Sequence, residues 1–292
     1  MAPDQNFNHY GVLPNVRPSG NLELHLRCLV RFQRAVLSEL RSRTGLPLKQ
    51  RVKAWKQGFS SKAWVLYRLQ ENDARQYLPD LASAGKSYRI NGFSNPIIGN
   101  KLVLSRLLHA HDIPHPEVVS VIHKGKLMAE NGPIRDQGIK QTLLDTLEHH
   151  PHQVFRPSWS GGGEGVFFLD RIDSELQLNG HEISADEVCN LLSRLDRYLA
   201  TAFVDQAEYA RSIYAGSTNT MRFLSLWDVD RNEPFIAAVS HRFGSSRSAP
   251  IDNWHQGRGG ICAAVDAQTS TLGPAWRLGQ DDQPVCESSH YE

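Results

Sequence analysis

The residues with the clearest chemical potential lie between Val154 and Leu169, where an apolar run carrying Arg156 and Pro157 meets Ser160-Gly161-Gly162-Gly163-Glu164-Gly165 and a second apolar run follows. Glycines at this density let the backbone come close to a ligand and turn its amide N–H groups toward it, which is what a polyphosphate requires. A plain glycine-rich hairpin turn has the same local pattern. The residues after the loop narrow the choice. A P-loop or a dinucleotide fingerprint would be followed by a helix, and a P-loop would end in Gly-Lys-Ser/Thr. Here Val166 to Leu169 is β-branched and aromatic, so the spacing predicts strand, loop, strand, with the loop lying over phosphates as a flap.

Further along the chain, polar groups gather where strands are expected to end. They fall in Ser217-Thr218-Asn219-Thr220-Met221-Arg222, in His241-Arg242-Phe243-Gly244, in Asp252-Asn253, at Gly259-Gly260 and at Asp266. A triphosphate site needs cations and amides around the phosphates, and carboxyl or amide oxygens for Mg²⁺. Lys101, Arg156, Arg222 and Arg242 are the candidate cations. Asp252, Asn253 and Asp266 are the candidate metal ligands, with an Asx turn as the bland alternative for Asp252-Asn253. His109, His111 and His115 straddle a helix end, and His149, His150 and His152 precede a strand; both sets read as solvated histidines. No Gly-x-Ser-x-Gly elbow is present.

The elements that must position these groups follow from periodicity. Leu22, Leu26, Leu29, Val30, Phe32, Val36, Leu37 and Leu40 predict an amphipathic helix over 22–43, stopped by Gly45-Leu46-Pro47. A second helical tract begins near Leu48 and breaks at Gly58-Phe59-Ser60. A turn-rich passage from Tyr88 leads to a helix over Lys101–Leu108, ended by Ile113-Pro114-His115-Pro116. A short strand over Glu117–Ile122 then turns at Lys124-Gly125-Lys126, and a helix covers Gln141–Glu148. Ser184 and Glu187 have capping-box spacing ahead of a helix with Val188, Leu191, Leu192, Leu195, Tyr198 and Leu199. Phe203-Val204 reads as a short strand. Met221–Trp227 pairs by pattern with Phe235–Val239 across Asp228–Asn232, and Ile261–Val265 is a further strand. Runs of strands with interspersed helices, without βαβ alternation, indicate α+β architecture.

Composition sets outer bounds. The 292 residues carry 32 basic and 31 acidic side chains, a formal charge of +1, which gives no electrostatic case for nucleic acid or an anionic membrane as the main partner. Cys28, Cys189, Cys262 and Cys286 form no CxxC pair, so reduced thiols and a cytoplasmic location are expected. No stretch approaches the roughly 20 apolar residues of a membrane span.

With Asn100-Lys101 opening a helix toward Ile113-Pro114-His115-Pro116, Arg156-Pro157 and the glycine flap, Ser217 to Arg222, and Asp252-Asn253 with Gly259-Gly260 and Asp266, the chain resembles the ATP-grasp superfamily. Within it, the chain is similar to the sugar-transfer-associated group. The resemblance runs from about Gly58 to the C-terminus. It implies two antiparallel-sheet lobes sandwiching ATP, preceded by an N-terminal helical lobe, divided as 1–87 (helical lobe), 88–152 (linker helix and strand), 153–204 (small lobe with the flap) and 205–292 (large lobe).

The implied activity is ATP- and Mg²⁺-dependent ligation of a small-molecule carboxylate to an amine or other nucleophile through an acyl phosphate, in cell-surface polysaccharide or related assembly. A phosphotransferase acting on a hydroxyl, or an inactive ATP-binding scaffold, are the alternatives. By the resemblance, Lys101 and Arg156 contact phosphates, together with Ser160, Gly161, Gly162, Gly163 and Gly165 of the flap. Phe203 and Val204 form the adenine hinge, Asp205 or Glu208 holds the ribose, and Asn219 belongs to the nucleotide site. Arg222 and Arg242 stabilise the transferring phosphoryl group or bind the substrate carboxylate. The chain departs from the family in having Arg156 where lysine is usual and Ala202 where glutamate is common. It also ends at Ser289-His290-Tyr291-Glu292, before the glutamate and asparagine that bind Mg²⁺ in the family. A fragment or a degenerate member is the expectation that follows.

Overall fold

The computed structural model describes residues 20–42, 44–84, 90–91, 94–130, 138–161, 163–253, 259–279 and 284–287. Gly162, part of the turn-rich passage after Tyr88, and Ser289–Glu292 lie outside the described residues. The chain divides into two compact units, 1–95 and 96–292. Mixed helices and two antiparallel sheets make it an α+β protein.

The first unit is helical, with α1 at Gly20–Leu40, α2 at Leu48–Lys56, α3 at Ser61–Leu66, and a short α4 at Asp80–Ser83. The break expected at Gly58-Phe59-Ser60 is the α2–α3 corner, where the Ser60 side chain caps α3 by accepting from Ala63 N. Ala54, Phe59, Ala63, Trp64 and Leu69 form the core. One carboxylate organises this corner. Glu39 is 5% exposed, and it accepts hydrogen bonds from Trp55 Nε1 (2.8 Å), Ser61 N (2.9 Å) and Ser61 Oγ, with Arg51 Nη2 3.5 Å away. Arg51 also donates to Glu39 O and Ser61 Oγ, so α1, α2 and α3 share one polar knot inside an apolar corner. The apolar stripe that predicted α1 is exposed at Leu26, Leu29, Val30, Phe32, Leu37 and Leu40.

The helix α5, Ser94–Gly99, straddles the division between the units, and α6, Lys101–Ala110, opens the second. A seven-stranded antiparallel sheet follows, built from β1 (Val118–His123), β2 (Lys126–Ala129), β3 (His152–Pro157), β4 (Phe167–Ile172), β5 (Glu175–Leu178), β6 (His181–Ile183) and β7 (Tyr198–Ala202), in the order β2-β1-β7-β3-β4-β5-β6. The helices α7, Ile139–His149, and α8, Ala185–Ser193, pack on it, burying Leu143, Leu147, Val188 and Leu192 against Ile122, Phe155, Leu169 and Ala200. Ser184 and Glu187 form the expected capping box at the start of α8.

That helix stops earlier than its sequence pattern indicates. Tyr198 and Leu199 belong to β7, and Phe203-Val204 follow this strand instead of forming one. The reason is burial: Leu199, Ala200 and Thr201 are all buried in the middle of the sheet, and a short strand buried on both faces has no period-two signature. Arg197, at φ 55°, makes the turn into it.

A second antiparallel sheet completes the unit, with strand order β12-β11-β10-β9-β8, comprising β8 (Thr220–Asp228), β9 (Glu233–Phe243), β10 (Ile261–Val265), β11 (Leu272–Leu278) and β12 (Pro284–Glu287). The expected β8–β9 hairpin is present, closing at Asp228↔Glu233, with a bulge between Leu224 and Ser225. A short helix, α9 at Glu208–Ile213, joins the sheets. Among the described residues no helix is long and apolar enough to cross a membrane. The four cysteines are free thiols.

Replacing Glu39 by alanine leaves the Trp55 and Ser61 donors and the Arg51 guanidinium without their acceptor. An expected loss of about 3–5 kcal/mol in unfolding free energy, read from urea titration with Trp55 fluorescence, follows from breaking a buried charged network. Glu39→Gln, which keeps one acceptor oxygen, loses less.

Candidate functional site

The glycine loop is held in the predicted strand–loop–strand frame, since β3 and β4 pair from His152↔Asp170 to Phe155↔Phe167. Gly163 and Gly165 have φ of 78° and 72°, a region costly for any residue with a Cβ. A Cβ at Gly163 would lie 2.5 Å from Ile251 Cδ1, and one at Gly165 2.6 Å from the Tyr198 hydroxyl. Glycine is needed at both positions for conformation and for clearance. Gly161 has open space around it, and the Trp159 ring is half exposed and rests beside Gly99.

Two cations stand at the base of the loop. Asn100 caps α6 through Leu102 N and Val103 N, which fixes Lys101 at the helix start. The Lys101 ammonium donates to Pro157 O (2.8 Å), Ser160 O (2.8 Å) and Ser160 Oγ (3.2 Å). All three of its N–H donors are therefore used within the protein. The expected direct phosphate contact by Lys101 gives way to a bracing role, and Ser160 is the residue braced.

Arg156 differs. It sits on β3 between β7 and β4, its Nε is buried with no hydrogen-bond partner, and no ion pair of the described residues includes it. Burial pulls its guanidinium below the usual arginine range, and burial together with the Arg156 charge pulls Lys101 down as well. Two neighbouring cations with no carboxylate between them make a site that an anion would stabilise.

A cleft lies between β4, the segment after β7 and the segments flanking β8 and the Asp252 loop, and among the described residues its lining includes neither the glycine loop nor Lys101 and Arg156. A cavity of about 190 Å³ is lined by Phe168, Phe203, Asp205, Gln206, Ser217 and Pro250, among others. The Phe168 and Phe203 rings meet edge to face at 6.2 Å. Phe203 and Asp205, the expected hinge and ribose residues, both line this cavity. Val204 is exposed and outside this lining, and the exposed Glu208 lies 3.9 Å from Arg211.

Asn219 is placed differently from the expectation. Its Nδ2 donates to Ala210 O (2.7 Å) and Tyr214 O (2.9 Å), and its Oδ1 accepts from Gly244 N (3.0 Å) and Ser217 Oγ (3.3 Å). Every hydrogen-bonding capacity of the amide is filled, so Asn219 ties α9 to the end of β9 and has nothing left for a nucleotide. Gln206 extends this bracket by donating to Tyr214 O and Ser217 O and accepting from Asn219 N. A single glutamine outside any motif gave no sequence signal for that part.

Beyond the cleft, one transverse row of the second sheet aligns Thr220, Arg242, Cys262, Trp276 and Cys286 across all five strands. Arg242 donates to Thr220 Oγ1 (2.6 Å from Nη2) and lies 3.3 Å from Asp252 Oδ2, and Thr220 Oγ1 donates to the same carboxylate. Ile251, against which Gly163 packs, is the residue before Asp252. The flap tip and the Arg242–Asp252 pair are therefore connected through adjacent backbone. Arg222, two residues along β8, is exposed on the sheet edge, and Gly259-Gly260 support the Asp252 loop, a Cβ at Gly260 falling 2.6 Å from Asn253 O.

The expected metal trio is not assembled. Asp266 makes an Asx turn, accepting from Gln268 N and Thr269 N, which hold its carboxyl below the usual range. It terminates β10 four residues past Cys262, about 13 Å along the strand from the Arg242 row. Asp252 is already engaged by Arg242 and Thr220. Among the described residues no three His, Cys, Asp or Glu side chains converge on a point. This includes His109 and His115, whose rings are 6.1 Å apart.

Behind Arg242, on the opposite sheet face, His241 is 1% exposed, packs on Phe243 (4.0 Å) and Tyr209 (5.9 Å), and has Nε2 without a partner. Burial lowers its pKa below 6.5, opposed by Asp252. The folded state then binds fewer protons than the unfolded chain. Stability is full above the unfolded value and falls as pH drops through the folded value. His241→Phe removes that titration and should flatten the decline in Tm between about pH 7.5 and 5, measured by differential scanning calorimetry. No family model matches the chain, and no curated protein matches it either.

Proposed function

We propose that the cleft lined by Phe168, Phe203 and Asp205 is part of an ATP site of ATP-grasp type and that the chain ligates a small-molecule carboxylate to an amine. The observation that carries this reading is Arg156, a half-buried guanidinium with an unpartnered Nε beside Lys101, at the base of the glycine loop. The triphosphate would neutralise the two cations, with loop N–H groups adding donors. The purine would lie against Phe168 and Phe203, and Asp205 would accept from the ribose.

In this reading the substrate carboxylate attacks the γ-phosphorus, ADP departs, and an amine displaces phosphate from the acyl carbon. Arg242, oriented by Asp252 and Thr220, is the donor toward the transferring group, and Asp252 acts as a positioning residue. Among the described residues no three His, Cys, Asp or Glu side chains converge, so no step is assigned to a metal held by the protein alone. A second reading has the site bind nucleotide without turnover.

The variant Arg156→Met separates a ligand role from a structural one. Removing an unpaired buried charge should leave the Tm of the apo protein unchanged or raised. Wild-type protein at a hundredfold excess of ATP over its Kd should gain about 2.7 kcal/mol, and the variant should lose most of that gain in thermal-shift titration. Absence of any nucleotide-dependent shift in the wild type sinks the ATP reading. A shift without carboxylate- and amine-dependent release of ADP and phosphate selects the non-catalytic one.

A further inference from the structure

The outer half of the β8–β9 hairpin is apolar on both faces and open on both. Met221, Phe223 and Trp227 with Ile236 occupy one face, Leu224 and Leu226 with Phe235 the other, and each side chain is 43–57% exposed. Each face presents on the order of 300–500 Å² of apolar surface, the size of the largest patch on an ordinary monomer, which is often an interaction site. The hairpin is also a sheet margin, because β8 pairs with β9 alone and ends the strand order. Between its ends β8 has neither proline nor lysine, and Arg222 is the one charged side chain along that edge.

The order of residues on β8 identifies the partner. Arg222-Phe223-Leu224-Ser225-Leu226-Trp227-Asp228 reads the same chemically from either end: charge, aromatic, leucine, serine, leucine, aromatic, opposite charge. An antiparallel strand laid against itself about Ser225 sets Arg222 opposite Asp228, Phe223 opposite Trp227 and Leu224 opposite Leu226. Opposite charges, aromatic pairs and apolar pairs are the cross-strand combinations that stabilise antiparallel ribbons. A shift of one residue, centring the pair on Leu224, would set Arg222 against Leu226 and Phe223 against Ser225. We infer that β8 pairs with β8 of a second copy of this chain across a two-fold axis at Ser225, joining two five-stranded sheets into one of ten strands.

Sedimentation velocity on the full chain tests this. Wild-type protein should run at twice the 32.8 kDa chain mass. Ser225→Lys places two ammonium groups against each other at the axis and should return the protein to one chain mass with an unchanged circular dichroism spectrum. It leaves alone the Asp228 carboxylate that accepts from Asp230 N and Arg231 N in the turn. Arg222→Asp and Asp228→Arg should each be monomeric, and a mixture of the two should recover the dimer. A wild-type chain that stays monomeric at roughly 50 µM, or a dimer indifferent to Ser225→Lys, overturns the inference.

Discussion

An arginine brought out of water with no carboxylate to meet it is the constraint on which the second unit turns. Burying a cation is unfavourable unless it is paired and hydrogen-bonded, and Arg156 has neither compensation at Nε. Its neighbour cannot relieve it, since Lys101 carries the same sign and spends its donors on Pro157 and Ser160. A fold assembled only for stability would put a methionine or leucine at this place on β3. An anion would supply the missing compensation, and this is the physical basis of the proposed nucleotide site.

Polar brackets fix the segments between β7 and β8 to the end of β9. Asn219 and Gln206 together satisfy backbone groups of α9, the segment after it and the end of β9, which holds Ser217 and Thr218 at the mouth of the cleft. Residues of this kind look like ligand contacts in a sequence because they are polar, clustered and near strand ends. Their saturation by protein partners is what distinguishes a bracket from a binding group. Asp252 shows the intermediate case, a carboxylate committed to an arginine and a hydroxyl while remaining at the edge of the site.

The legible parts of the fold were those with strong local signals. The β3–loop–β4 frame, the Ser184–Glu187 capping box, the β8–β9 hairpin and β10 all follow from alternation, capping or turn chemistry. The centre of the first sheet was less legible. Tyr198 and Leu199 continue a helical spacing from Leu191 and Leu192, and their assignment to β7 is decided by long-range pairing with β1 and β3. For the candidate site, residue types were readable and their commitments were not. Lys101, Asn219, Asp252 and Asp266 each carry suitable atoms, but hydrogen bonds to residues distant in sequence or to a local turn decide whether those atoms face a ligand.

The attachment of Lys101 to Pro157 and Ser160 also sets where the glycine loop can hinge. Three charge-assisted hydrogen bonds fasten its first residues to the start of α6, and Lys101 N–H to Ser158 O adds a fourth link. A swing that leaves these bonds intact has to begin beyond Ser160. The glycine loop is therefore anchored on its N-terminal side by one lysine, and the floor formed by Lys101 and Pro157 is a fixed part of β3 and α6 and not of the loop itself.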